Sequence, residues 1–272
     1  MDNFWILFLV FTVYSFLGWL TESIFCSVPA GKFINRGFLN GPFCPVYGVG
    51  GVAVVSILTP FRENLIALYL AGVVVTSLIE YLTGFALEKI FHTKYWDYST
   101  HRFNLRGRVC LENSLLFGVM CVVGMLYIHP ALMRLLESVS GTVLPWVSGG
   151  FILYFACDAT LSVYTIFKLN GKLEEMQLVL DEIKEKAAAF KADRIETMQS
   201  ALGSLIDEDT KAAYQKTLCE LYEKKDKIEA EVKFFQCRVI SAFPTMKSMR
   251  SNESLQRMKD VIQEKAQKIR RG

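Results

Sequence analysis

Residues 65–87 read LIALYLAGVVVTSLIEYLTGFAL, and Glu80 is the one charged side chain among them. As a helix rising 1.5 Å per residue the stretch is roughly 35 Å long, enough to cross a hydrocarbon core of about 30 Å. A carboxylate deep in a bilayer costs about 2.5–3.5 kcal/mol on insertion scales, so it is tolerated where it faces a partner or a water-filled cavity. The stretch therefore reads as a transmembrane helix, and Glu80 as a pointer to a polar interior.

Four further apolar runs lie outward from it, at about 4–27, 43–61, 115–136 and 146–167. The second is the weakest. Its core from Val46 to Thr59 is short and holds Gly48, Gly50 and Gly51, which leaves a re-entrant segment open. Two more acids interrupt these runs, Glu22 in the first and Asp158 in the last.

Charge divides the chain. Residues 1–168 carry ten Lys/Arg and nine Asp/Glu, whereas 169–272 carry twenty and eighteen. The first part reads as a membrane domain and the second as a charged, soluble helical domain. The expected fold class is all-α: a polytopic helical membrane domain with about five transmembrane helices (1–168), then a cytosolic coiled-coil helical hairpin (169–272). A net charge of +3 gives no argument for nucleic acid as a partner. The seven cysteines are scattered without paired spacing, as in a reducing cytosolic setting. The start, Met-Asp-Asn, lacks the basic region of a signal peptide, so the first run reads as a retained span.

Basic residues set the orientation. Loop 1 holds Lys32 and Arg36, and loop 3 holds Lys89, Lys94, Arg102, Arg106 and Arg108. Loop 2 offers only Arg62 beside Glu63, and 137–145 has no Lys or Arg. Five crossings put every basic loop inside, with the N-terminus outside and the tail in the cytosol. Glu22 then lies roughly 8 Å and Glu80 roughly 12 Å from the inner ends of their spans. A site reached from the cytosol follows.

Residues 35–45, NRGFLNGPFCP, combine Gly37, Gly41, Pro42 and Pro45 with Asn40, and so form a shaped plug entering the short second span. Arg36 can pair with Glu22 or Glu80, or it can sit on lipid phosphate at the surface. In loop 3, Tyr95, Trp96 and Tyr98 match an interfacial aromatic belt, while Asp97 and the turn Asn104–Arg108 stand out from it. Glu112 and Asn113 sit where a helix N-terminus favours acids and caps. His92 and His101 have no Cys or His at ligand spacing, so neither a metal nor a cofactor is expected. Pro130 should kink its helix. The candidate substrate or ion pathway is Glu22, Arg36, Asn40, Glu80, Asp97, Arg108, Asn113 and Asp158.

The strings YSFLGWLTESIF, NRGFLNGPFCPVYG, the pair Glu80-Tyr81, YWDYS and RGRVCLENSLLFG, in this order, resemble the bacterial ABC-transporter permease family of the CmpB type, or type IV. The resemblance covers most of residues 10–130. It implies a membrane-embedded permease component driven by a separate ATPase. No GxxxxGK[ST] phosphate loop occurs in the chain, so the ATPase would be another polypeptide, and five spans would call for a homodimer.

In the tail, Leu173, Met176, Leu180, Ile183, Ala187 and Phe190 alternate intervals of three and four, a coiled-coil seam. A second seam runs Tyr214, Leu218, Leu221, Lys225, Ile228, Val232, Phe235, Val239, and Gly203 with Asp207-Glu208-Asp209 breaks the pattern between them. An antiparallel hairpin is expected, built for protein contact. Residues 254–271 form a basic amphipathic stretch, either on the inner leaflet or solvated. Neither G-x-S-x-G nor HExxH occurs, so no enzyme is expected. A membrane enzyme acting on a lipid head group and a scaffold or sensor signalling through the tail remain the alternatives to a permease.

Overall fold

A computed structural model describes residues 3–199 and 208–271. They form two compact units, Met1–Ile166 with Arg238–Lys247, and Phe167–Cys237 with Ser248–Gly272.

The first unit is built from α1 (Phe4–Ala30), α2 (Pro45–Leu58), α3 (Leu65–Phe91), α4 (Leu111–Val123), α5 (His129–Glu137) and the start of α6 (Leu144–Gln199). The Asn3 and Asn64 side chains open α1 and α3 by accepting the backbone N–H of Trp5 and Ala67, each at 3.0 Å. Four helical stretches are long and apolar enough to cross a membrane: Phe4–Ala30, Leu65–Phe91, Leu111–Glu137 and Leu144–Lys191. α2 is shorter; with a 3-10 turn it reaches from Pro45 to Phe61.

Small residues let these helices approach, as expected where lipid tails are as apolar as leucine and close packing must hold helices together. α1 and α2 pack antiparallel through Gly18, Gly48 and Gly51. A Cβ at Gly48 would lie 2.6 Å from the Phe11 carbonyl oxygen, and one at Gly18 would lie 2.2 Å from the Tyr47 ring. α3 and α4 approach at Gly72 and Gly118, and Ser77 donates to Ser114 at 2.7 Å between them. Val54, Val55 and Leu58 of α2 join Leu68, Cys121 and Met125 in one apolar cluster, while Leu9 and Val10 meet Leu132, Leu136 and Leu144 in another. Phe8, Phe11 and Phe43 pack on Phe155 of α6.

Between α4 and α5 the helix widens into a π turn at Gly124–Ile128, where the His129 N–H bonds the Gly124 carbonyl. Pro130 has no N–H for the carbonyl four residues back, and its ring crowds it, which accounts for the widening.

In the second unit α6 runs antiparallel to α7 (Glu208–Ala230): Lys172 pairs with Glu231 at 3.5 Å, and Phe190 stacks on Tyr214 at 4.2 Å. Leu173, Met176, Leu221 and Ile228 of the two seams are buried. The connecting turn at Gly203 and Asp207 lies outside the described residues. The second seam is shorter than expected. α7 ends at Ala230, Phe235 is half exposed on α8 (Phe234–Ala242), and Val239 is buried in the first unit. α9 (Asn252–Arg271) buries Leu255 and Met258 within the second unit, held by Arg257–Glu229, Arg250–Glu174 and Lys184–Glu253 pairs.

Candidate functional site

The interior of the first unit holds a cavity of about 470 Å³, walled by α1, α2, α3 and α4 and by residues 36–38, 44, 95, 96, 98 and 243. It runs from Arg36 and Trp96 to the π turn at Gly124–Ile128. Most of its surface is apolar, and its ionisable acids and base, Glu22, Glu80 and Arg36, gather toward the loop end.

Glu22 is fully engaged. One oxygen accepts the Arg36 Nε at 3.3 Å, and the other accepts the Tyr47 hydroxyl. Tyr47 reaches it because its ring base lies against Gly18 of α1, where any side chain would collide. Arg36 is also spoken for. Its backbone N–H donates to Ser23 Oγ at 3.2 Å, its guanidinium donates to the Ala242 carbonyl, and its plane lies 4.8 Å from the Phe243 ring.

Glu80 differs. The Tyr98 hydroxyl lies in hydrogen-bonding reach and in turn bonds Asn113, while Glu22 is near enough for its charge to act on Glu80. Yet Glu80 Oε2 is buried and has no hydrogen-bond partner. Burial, with the charges of Glu80 and Glu22 adding to it, pushes the Tyr98 hydroxyl well above its ordinary pKa, so it stays a proton donor.

Of the residues singled out from the sequence, Glu22, Arg36 and Glu80 share this cavity, and Asn113 supports it through Tyr98. Asp158 and Asn40 do not line it. Asp158 Oδ1 and Oδ2 accept the backbone N–H groups of Asn40 at 2.9 Å and Gly41 at 2.8 Å, and Asn40 Nδ2 donates to Ser162 at 2.9 Å. The acid of α6 thus clamps the 35–45 loop. Gly41 is needed there, because a Cβ would lie 1.7 Å from the Tyr154 hydroxyl.

Arg108 is likewise outside the cavity. It donates to Glu88 at 2.7 and 2.9 Å and to Tyr81 at 3.1 Å, lying over the Tyr81 and Phe85 rings at 5.2 Å. It fixes a hairpin, Asn104–Leu105 with Val109–Cys110, whose turn holds Arg106 and Gly107 at φ 55° and 70°. Asp97 accepts Lys247 at 2.6 Å and the Ser99 N–H at 3.1 Å. Burial alone would raise its carboxyl pKa, but these bonds outweigh burial and hold it below the usual range.

The segment Arg238–Lys247 is the part that sequence reasoning missed. Arg238 donates to the carbonyls of Gly37 and Phe38 at 3.0 and 3.3 Å, Ala242 accepts Arg36, Phe243 meets Tyr95 edge-on at 5.0 Å, and Lys247 pairs with Asp97. It ties loop 1 to loop 3 and contributes Phe243 to the cavity wall. The one sequence signal was Pro244, which follows the second seam. Among the described residues no group of three or more His, Cys, Asp or Glu is placed to hold a metal ion.

A family model described as "Putative ABC-transporter type IV" matches residues 9–163, which include α1 to α5 and the start of α6. No curated protein matches the chain, and no solved structure does.

Proposed function

The chain belongs to that ABC-transporter type IV family of membrane proteins, and from this premise we propose that it is the permease-type subunit of a transporter whose ATPase is a separate polypeptide. The observation that carries the reading is the cavity inside the helical unit, mostly apolar, with two acids and an arginine at one end. A membrane anchor has no use for such a space, and leaving Glu80 without a full set of partners costs insertion energy that a scaffold would have no reason to retain.

In this reading the bilayer is crossed five times. Pro45–Phe61 is 17 residues long, at the lower limit of spanning length. The side of Lys32, Arg36 and the loop-3 arginines is cytosolic, the N-terminus is outside, and the membrane is the bacterial cytoplasmic one. The site then opens toward the cytosol, and the helical hairpin of the second unit supplies coiled-coil contacts to the ATPase or to a second copy. No chemical step is assigned to the site.

Purification of the tagged full chain from its own membrane should bring down a P-loop ATPase in stoichiometric amount, with ATP turnover that falls on Glu80→Gln. A well-folded, monodisperse protein with no P-loop partner and no ATP turnover in its host membrane would refute the permease assignment.

A further inference from the structure

We propose that the cavity takes a lipophilic cation, a molecule with one positive charge on an apolar body. The inference rests on reading the cavity as the ligand site of the permease. Three observations on the wall carry it.

The first is charge. Two carboxylates and one guanidinium face the space. The guanidinium charge is balanced by Glu22 at 3.3 Å, and two of its five N–H groups go to Glu22 and the Ala242 carbonyl, so it brings no surplus positive charge for an anion. Glu80 is left as the acid with which no cation pairs among the described residues, with the Tyr98 hydroxyl in reach and a buried oxygen that no protein group bonds. The second is the aromatic lining. Tyr14, Tyr47, Tyr95, Trp96, Tyr98 and Phe117 all contribute to the wall, and ring faces attract cations. The third is the body of the cavity. About 470 Å³ of largely apolar space suits a ligand that gains by leaving water, which a small hydrated ion does not. An ammonium on a phospholipid head group shares part of this chemistry, but its phosphate would meet only a guanidinium already paired with Glu22, and this favours the free lipophilic cation.

The test uses the full-length protein in detergent and two probes of matched shape, tetraphenylphosphonium and tetraphenylborate, followed by equilibrium dialysis. The cation should bind saturably and the anion at least about tenfold more weakly, the ratio one well-placed charge supplies. Glu80→Gln should remove about tenfold of the cation affinity while keeping a monodisperse elution profile. Thr83→Phe, which fills the cavity from α3, should weaken both probes. Equal affinity for the two probes, or unchanged cation binding in a folded Glu80→Gln protein, overturns the inference. Displacement of the cation by short-chain phosphatidylethanolamine overturns the choice of a free cation over a lipid. Cation binding without any ATPase partner would sink the permease reading and leave this one standing, whereas an ATPase complex that ignores the cation does the reverse.

Discussion

Glu80 and Asp158 look alike in sequence, each an acid inside an apolar run, and the structure gives them opposite surroundings. Asp158 is buried on α6 with both oxygens accepting backbone N–H groups of the 35–45 loop. Glu80 lines a cavity and keeps an oxygen without a partner. One acid is consumed in holding a loop that could not otherwise satisfy its own amides, and the other keeps an acceptor that no protein group fills. Burial of a charge marks a place where the protein needs a carboxylate, but only the partner set tells whether the need is architectural.

The largest expected effect breaks the architectural side. Asp158→Ala orphans two backbone donors, at about 1–3 kcal/mol for each. It should sharply lower thermal stability in detergent, read by size-exclusion after heating, and the yield should fall with it. Glu80→Gln should leave stability unchanged or raise it, since a neutral amide is cheaper to insert than a carboxylate. If the two variants melt alike, the distinction between clamp and available acid fails.

Second in size is the close approach that shapes the cavity. Gly48→Ala sets a Cβ 2.6 Å from the Phe11 carbonyl, a backbone atom that cannot turn aside, whereas Gly50 has nothing within 4 Å. Gly48→Ala should cost about 1–3 kcal/mol, the usual range for overpacking, and Gly50→Ala should cost far less. Equal melting temperatures for the two alanine variants would mean that α1 and α2 are not packed through this face.

The membrane character, the helical class and the antiparallel pairing in the tail were legible because each rests on local periodicity or on mean composition. α2 was legible as the weak run, and two of its glycines, Gly48 and Gly51, pack against α1. The Glu22–Arg36 pair could be read because it joins neighbours fourteen residues apart. Three things could not. By sequence Arg108 reads as a pathway residue, but its partner Glu88 sits one helical turn past Gly84, near the end of α3, where no pattern marks it. Asp158 bonds backbone amides, which carry no sequence signature. The segment 238–247 joins the first unit across some two hundred residues, and no period in a linear sequence reports a contact of that separation.

The smallest effect sharpens the comparison at the loops, where Asp97 is an acid with a strong partner set outside the spans. Its carboxyl sits below the usual range because the Lys247 ammonium and the Ser99 N–H outweigh its burial. In the unfolded chain an aspartate titrates near 3.9, so the pair contributes fully above about pH 4 and loses its contribution as pH falls through the lower folded value. Lys247 is half exposed, which limits the pair to about 0.2–1 kcal/mol. Melting curves of the native protein and Lys247→Ala should therefore differ slightly from pH 5 to 7 and converge toward pH 3. Acid protonates Asp97 and removes from the native protein the attraction that the variant already lacks. A gap that stays constant down to pH 3 would mean that Lys247 holds the 238–247 segment by packing of its stem and not by charge, and Asp97 would then resemble Asp158, an acid spent on backbone amides.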